Sequence, residues 1–165
     1  MNRGVMQRNR VEFQFRKLND SDLELMFHWL QLPHVKEWWN DGDDTIEKVA
    51  EHYFDSNENI ERFILESEEG KAVGYFQCYS LDENVIGIDQ FIGDNKSINV
   101  GIGAEAVKKF TDLVFEEYNP NSIVLDPDPN NARAIRCYEK AGFKFYQLDR
   151  SSGQEAYMMR LAANA

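Results

Sequence analysis

The sequence predicts an α/β fold, in detail an α+β mixed sheet flanked by helices, on three observations. Three strand-like segments run consecutively at about 62–67, 72–81 and 84–92. A long helical pattern begins after Gly103 and leads into the short apolar run 122–126. A second helical pattern, from about Asn131 to Lys140, then precedes two more strand-like segments. Strands in a row followed by strand–helix–strand alternation require a mixed sheet with a helical crossover in its second half.

Each element has its own local reason. Residues 11–18 alternate, with Val11, Phe13 and Phe15 on one face, as a strand does. Ser21 and Glu24 have the spacing of a capping box. Leu23, Met26, Phe27 and Leu30 follow at helical spacing until Pro33, which ends that helix. A second helix is expected from Thr45 to Phe54, where Ile46, Val49 and Tyr53 share a face. Glu69-Gly70 marks the turn between the first two of the consecutive strands. In the long helix Ala106, Val107, Phe110, Leu113 and Val114 form the apolar stripe. Asp126-Pro127-Asp128-Pro129 is a rigid turn, and Gly142 stands where a helix closes. Segments 143–148 and 154–161 make a hairpin around Ser151–Gly153. The polar, basic start MNRGVMQRNR lacks the apolar centre of a signal peptide. It reads as a lead-in, residues 1–10, to one domain spanning 1–165.

Composition narrows the function classes. The 165 residues are 42% apolar and 28% charged, enough for a buried core. No stretch reaches the roughly 20 apolar residues of a membrane span, so no membrane partner is expected, and two cysteines without motif spacing agree with a cytoplasmic location. Cys78 and Cys137 lack motif spacing, and His28, His34 and His52 are scattered, so no metal site is expected. The net charge is −11, and between Lys36 and Glu69 twelve acidic residues face three basic ones. That balance disfavours nucleic acid and admits a cationic small molecule.

The segment Ile98-Asn99-Val100-Gly101-Ile102-Gly103-Ala104 lies between a strand and the long helix. Glycines there let a ligand approach the backbone, and free N–H groups at a helix start favour an anion such as pyrophosphate. Downstream, Asn131, Ala134, Tyr138, Gly142 and Phe143 fall in the pattern N-x-x-A-x-x-x-Y-x-x-x-G-F. This resembles motif B of the GNAT acetyltransferases, and the order of the two motifs fits that family. Gly87-Ile88-Asp89-Gln90-Phe91-Ile92-Gly93, Leu125-Asp126-Pro127 and Arg133-Ala134-Ile135-Arg136 are similar to aminoglycoside 6'-N-acetyltransferases, as is Trp29-Leu30 followed by His34-Val35-Lys36-Glu37-Trp38-Trp39. The resemblance runs from about residue 11 to 160.

It implies acetyl-CoA as acetyl donor, in a V-shaped opening between strands 84–92 and 122–126. The implied cofactor contacts are Phe91, Ile92, Ile98, Val100, Gly101, Ile102, Gly103, Ala104, Asn131, Ala134 and Tyr138. The chain departs from the family's R/Q-x-x-G-x-G pattern at Ile98, where Arg or Gln is common, and at Val100, where a basic residue often sits. Pyrophosphate binding is then expected to rest mainly on backbone N–H groups.

Acetyl transfer to an amine requires removal of an ammonium proton and protonation of the leaving thiolate. Asp89 interrupts the apolar strand Val85–Ile92, where an unpaired charge is costly, so it is the expected base or amine-positioning group. By resemblance Tyr138 is the expected acid for the thiolate. Asp126, ending a strand beside the cleft, is expected to bind a second ammonium. Trp38, Trp39, Tyr53, Gln77 and Tyr79 are further substrate-binding candidates. A backbone N–H on the Asp89–Ile92 strand is the expected donor to the thioester oxygen. The resulting expectation is an aminoglycoside 6'-N-acetyltransferase acting as a monomer or weak homodimer. Acylation of another amine (a siderophore hydroxylamine, a polyamine or a protein N-terminus) and a non-catalytic acyl-CoA-binding module are the rivals.

Overall fold

The computed structural model describes residues 12–99 and 101–164. Val11, Val100 and the lead-in 1–10 lie outside the described residues. Seven strands form one sheet: β1 (Gln14–Lys17), β2 (Ile60–Glu66), β3 (Ala72–Asp82), β4 (Val85–Ile92), β5 (Ser122–Leu125), β6 (Lys144–Asp149) and β7 (Ala156–Ala162), in the order β1-β2-β3-β4-β5-β7-β6. Among the described residues β4 and β5 alone pair in parallel; the other neighbouring pairs are antiparallel. The expected crossover helix, α5 (Gly103–Tyr118), joins those two strands.

Several helix boundaries differ from expectation for local reasons. The Ser21/Glu24 capping box does not form. Asn19 caps a 3₁₀ turn, Asp20–Asp22, by accepting from Ser21 N–H, and the Asp22 carboxylate answers by accepting from Asn19 N–H at 2.9 Å. Arg16 grips the same carboxylate at 2.7 Å, which gives Asp22 the better position. Helix α1 (Leu23–Gln31) stops before Pro33, and Pro33 in turn opens a short helix, α2 (Pro33–Lys36), where its missing N–H costs nothing. Thr45 caps α3 (Ile46–Val49), which widens into a π turn over Ala50–Phe54. A short helix α4 (Asn95–Asn99), not anticipated, precedes α5. The last helix, α6 (Ala132–Lys140), is capped by Asn131 accepting from Ala134 N–H at 3.2 Å.

The sheet has a core on each face. On one face α5 lays Val107, Phe110 and Val114 against Phe63, Phe76, Ile88 and Ile123. Phe110 stacks on Phe15, Phe63 and Phe76 with centroids 5.0–5.5 Å apart. Each such side chain contributes about 1.5–3 kcal/mol on burial. On the other face Met26, Trp29 and Leu30 of α1 meet Val49, Tyr53, Ile64 and Tyr75. The two cores pack β4 from both faces, while its pairing with β5 covers only the first part of the strand.

Candidate active site

The site lies where β4 and β5 separate. Their pairing is confined to Val85↔Ser122, Ile86↔Ile123 and Gly87↔Val124. Beyond it a cleft of about 840 Å³ opens. The register decides which backbone groups face that cleft. Gly93 N–H donates to Val73 O at 3.0 Å, so alternation turns the backbones of Ile88, Gln90 and Ile92 away from β3 and toward the opening. Asn84 O accepts from Asn121 N–H at 2.7 Å on the same edge, as this parity requires. The Ile92 carbonyl accepts from His34 Nε2 at 3.0 Å, which places the His34 proton on Nε2. The N–H and C=O of Gln90 and the N–H of Ile92 then face the cleft. Such groups need a partner, and an extended ligand carrying amides supplies one.

Side chains repeat the pattern. Gln90 turns to the α5–α6 face, where its buried amide Nε2 and Oε1 make no well-formed hydrogen bond, Tyr138 being its nearest polar neighbour there. Orphaned polar atoms in a cleft wall mark a ligand position. Tyr138 of α6 stands beside Gln90, and burial keeps its hydroxyl protonated well above the usual phenol range. At the far end α5 begins at Gly103 with no side-chain cap, so its first N–H groups are free, and Gly103 and Ala104 line the cleft. Arg133, Arg136 and Lys140 of α6 line it too. They bring positive charge into a cleft where Ile98 supplies none. The cleft therefore fits acetyl-CoA along its length: free backbone amides for pantetheine, a helix start and cations for phosphates.

Of the expected cofactor contacts, Phe91, Ile92, Ile98, Gly101, Gly103, Ala104, Asn131, Ala134 and Tyr138 line the cleft. Ile102 instead turns into the core. Val100 lies outside the described residues.

The opposite face carries the carboxylates. Asp89 and Asp126 stand together where the strands part, and both line the cleft. Burial raises the Asp89 carboxyl above its usual range, while donors from Gln77 and Tyr79 oppose that rise. Burial and then the charge of Asp89 push Asp126 up to about 7. Asp126 is exposed at the cleft mouth, however, so water offsets much of the desolvation and the like charge beside it is the weightier cause. The two groups titrate as a pair.

Trp38, 45% exposed, and Trp39 also line the cleft. Trp39 is anchored by donating Nε1–H to the Tyr53 hydroxyl at 2.9 Å. Tyr53 itself lies in the core beneath Trp39, away from the cleft lining. Gln77 is also buried, and its amide is engaged at both ends. Tyr79 lies across β4 with its hydroxyl beside Asp89; a Cβ on Gly87 would meet that ring at 2.6 Å. Sequence reasoning assigned no site role to His34 or Gln90, although both stand in the segments that carry the resemblance. Gln90 was detectable as the polar member of the face Ile86, Ile88, Gln90, Ile92. Outside the cleft Asp41, Asp43 and His52 place ligand-type atoms within 4.8 Å of one another, with His52 Nδ1 2.9 Å from Asp43.

The comparisons agree with this geometry. Residues 19–148 match the acetyltransferase (GNAT) domain. The aminoglycoside N(6')-acetyltransferase type 1 of Klebsiella pneumoniae is 33% identical over 146 residues, 78% of this chain and 72% of that one. The solved structure of aminoglycoside acetyltransferase AAC(6')-Ib with coenzyme A and kanamycin superposes with a TM-score of 0.84 at 30% identity, over 92% of this chain and 95% of that one. The same enzyme with ribostamycin and coenzyme A gives 0.85 at 30% identity, over 92% and 93%. With a split β4–β5 pair, a helix start at Gly103 and Tyr138 on α6, the chain belongs to the GNAT family of acetyltransferases.

Proposed function

We propose that this protein is an aminoglycoside 6'-N-acetyltransferase, transferring acetyl from acetyl-CoA to a primary amine of the antibiotic in a ternary complex. The observation that carries this reading is the Asp89–Asp126 carboxylate pair, set on the face of the split sheet opposite Tyr138. Bound acetyl-CoA supplies an acetyl thioester, which is exchanged for an amide on the amine nitrogen. Asp89 holds the incoming ammonium and, with Asp126, receives its proton. The N–H groups of Gln90 and Ile92 face the position where charge develops on the carbonyl oxygen. Tyr138 keeps a proton for the departing sulfur on the cofactor face. Trp38 and Trp39 offer ring faces to a sugar or a cation. Positioning of the amine between these groups supplies much of the rate. The protein works as a monomer or weak homodimer in the cytoplasm.

A thiol-release assay with acetyl-CoA tests the reading against kanamycin, polyamines, hydroxylamines and peptides. Turnover is expected with kanamycin, and Asp89→Asn is expected to abolish most of it while calorimetry finds coenzyme A affinity unchanged. Preference for one of the other amines, or full activity of Asp89→Asn, overturns it.

A further inference from the structure

We infer that Arg62 is a positioning residue for this reaction: it fixes which end of the Gln77 amide faces Asp89. The inference rests on the reading of Asp89 as the amine-handling carboxylate. Its basis is a straight row of side chains across the sheet. Arg62 is the register partner of Gln77 between β2 and β3, and Gln77 is the register partner of Asp89 between β3 and β4. Side chains in such register share one face and touch across strands.

Arg62 is 9% exposed and Gln77 8%. A guanidinium so deeply set must spend its donors on fixed acceptors. Nη2 donates to His52 O and to Glu58 Oε2, each at 3.1 Å. Nη1 donates to the Tyr75 hydroxyl and to Gln77 Oε1, each at 3.2 Å. The Tyr75 hydroxyl donates its own hydrogen bond to the same Gln77 Oε1 at 2.7 Å. With two donors aimed at it, that atom can only be the amide oxygen, so the flip of the side chain is settled. The NH₂ end is left to donate to Asp89 Oδ2 at 3.1 Å. A bond donated to this carboxyl favours its ionised form. The row therefore presents a polarised N–H to Asp89 from a positive charge two strands away, and chains of this kind strengthen along their length.

The groups facing Asp89 divide into two sets. Asp126 from the end of β5 and Asp41 from the loop after α2 add negative charge, and Tyr138 of α6 lies across the split on the other face of the sheet. Tyr79 and Gln77 from β3 donate to it, with Tyr75 behind them. Gln77 is thus a principal donor holding Asp89 ready to accept an ammonium proton.

Gln77→Glu separates this role from simple packing. It keeps an oxygen for Arg62 and Tyr75 and so keeps their contacts, but it turns an acceptor toward Asp89. The acid limb of kcat/KM is expected to move up by about one pH unit, giving about a tenfold loss near neutral pH that recovers as pH rises. KM for acetyl-CoA and the melting temperature are expected to hold. Arg62→Lys, with one ammonium in place of a fork, is expected to move the limb in the same direction by less. It is also the variant to read if Gln77→Glu does not fold. A folded Gln77→Glu or Arg62→Lys with an unmoved pH profile overturns the inference, provided that Asp89→Asn is inactive. An active Asp89→Asn overturns the parent reading instead.

Discussion

Asp89 and Asp126 face each other because each stands two residues beyond the last paired positions of β4 and β5, Gly87 and Val124. The parallel register continues in the side chains after the backbone pairing has stopped, and it puts two carboxylates at the throat of the cleft. Like charges so placed do not both ionise readily. Asp126→Asn removes one of them. The acid limb of kcat/KM is therefore expected to move down in pH, since Asp89 then ionises without a neighbouring negative charge. KM for a polycationic substrate is expected to rise more than kcat falls, the mark of lost uniform binding.

The same pair gives a stability prediction whose sign is opposite to that of a salt-bridged carboxylate. Both carboxyls are raised in the folded protein, Asp126 from 3.8 to about 7. The folded state then binds protons more tightly than the unfolded chain across that interval, so this contribution is lost as pH rises through about 7. Without coenzyme A, the melting temperature of Asp126→Asn is expected to gain on that of the wild type between pH 5 and pH 8. Parallel melting curves against pH for the two proteins would refute the shared-proton pair.

The Tyr138 hydroxyl has its pKa raised by burial first of all, while a contact with Gln90 opposes the rise. It keeps its proton throughout the working pH range. Tyr138→Phe is expected to lower kcat by up to about 10²-fold with coenzyme A affinity unchanged by calorimetry. A wild-type kcat in this variant would remove Tyr138 from the chemistry.

Gly101 has φ +72° with open space where a Cβ would stand. Its N–H closes a turn onto Ile98 O at 3.1 Å, just before the free helix start. A β-branched residue there meets backbone strain of about 1–2 kcal/mol and no clash. Gly101→Val is expected to raise KM for acetyl-CoA several-fold by moving the Gly103 and Ala104 N–H groups. Gly153→Val is the control: Gly153 has φ +83° in the β6–β7 hairpin, equally open. It should lose similar stability and leave KM alone; equal KM effects from both would disprove local action.

The strands and the long helix were legible because alternation and 3.6-residue spacing record burial directly. Asp89 was legible because it breaks an apolar strand. Tyr53 illustrates the limit. Its helical spacing identifies a buried face, but burial beneath Trp39 and burial against a ligand leave the same periodic trace. Gln77 is similar: only the register with Arg62 and Asp89 reveals that its amide is already engaged. The capping box at Ser21 failed for a long-range reason, since Arg16 on β1 grips Asp22 and no local pattern contains that contact. The cations Arg133, Arg136 and Lys140 were visible as residues, yet their place in the cofactor cleft depends on how α6 crosses the end of the sheet.

Substrate charge provides the last test. The acceptor side of the cleft carries Glu37, Asp89, Asp126 and Asp128, while its basic residues gather on α6 at the cofactor side. An aminoglycoside with several ammonium groups is drawn to the first and away from the second. Attractions between exposed charges are screened over a Debye length of about 10 Å at 0.1 M salt. kcat/KM for kanamycin is therefore expected to fall as salt rises, with the effect carried mainly by KM. A neutral control supplies the sign: an uncharged competitive ligand would show no such dependence. In the proposed mechanism one amine lies between Asp89 and the cofactor face while the remaining ammoniums meet the other carboxylates of the cleft. An analogue lacking only the 6'-amine should then bind as a competitive inhibitor and release no thiol. Equal turnover of the analogue and kanamycin would exclude 6' selectivity, and salt-independent kcat/KM would remove the carboxylates from substrate capture.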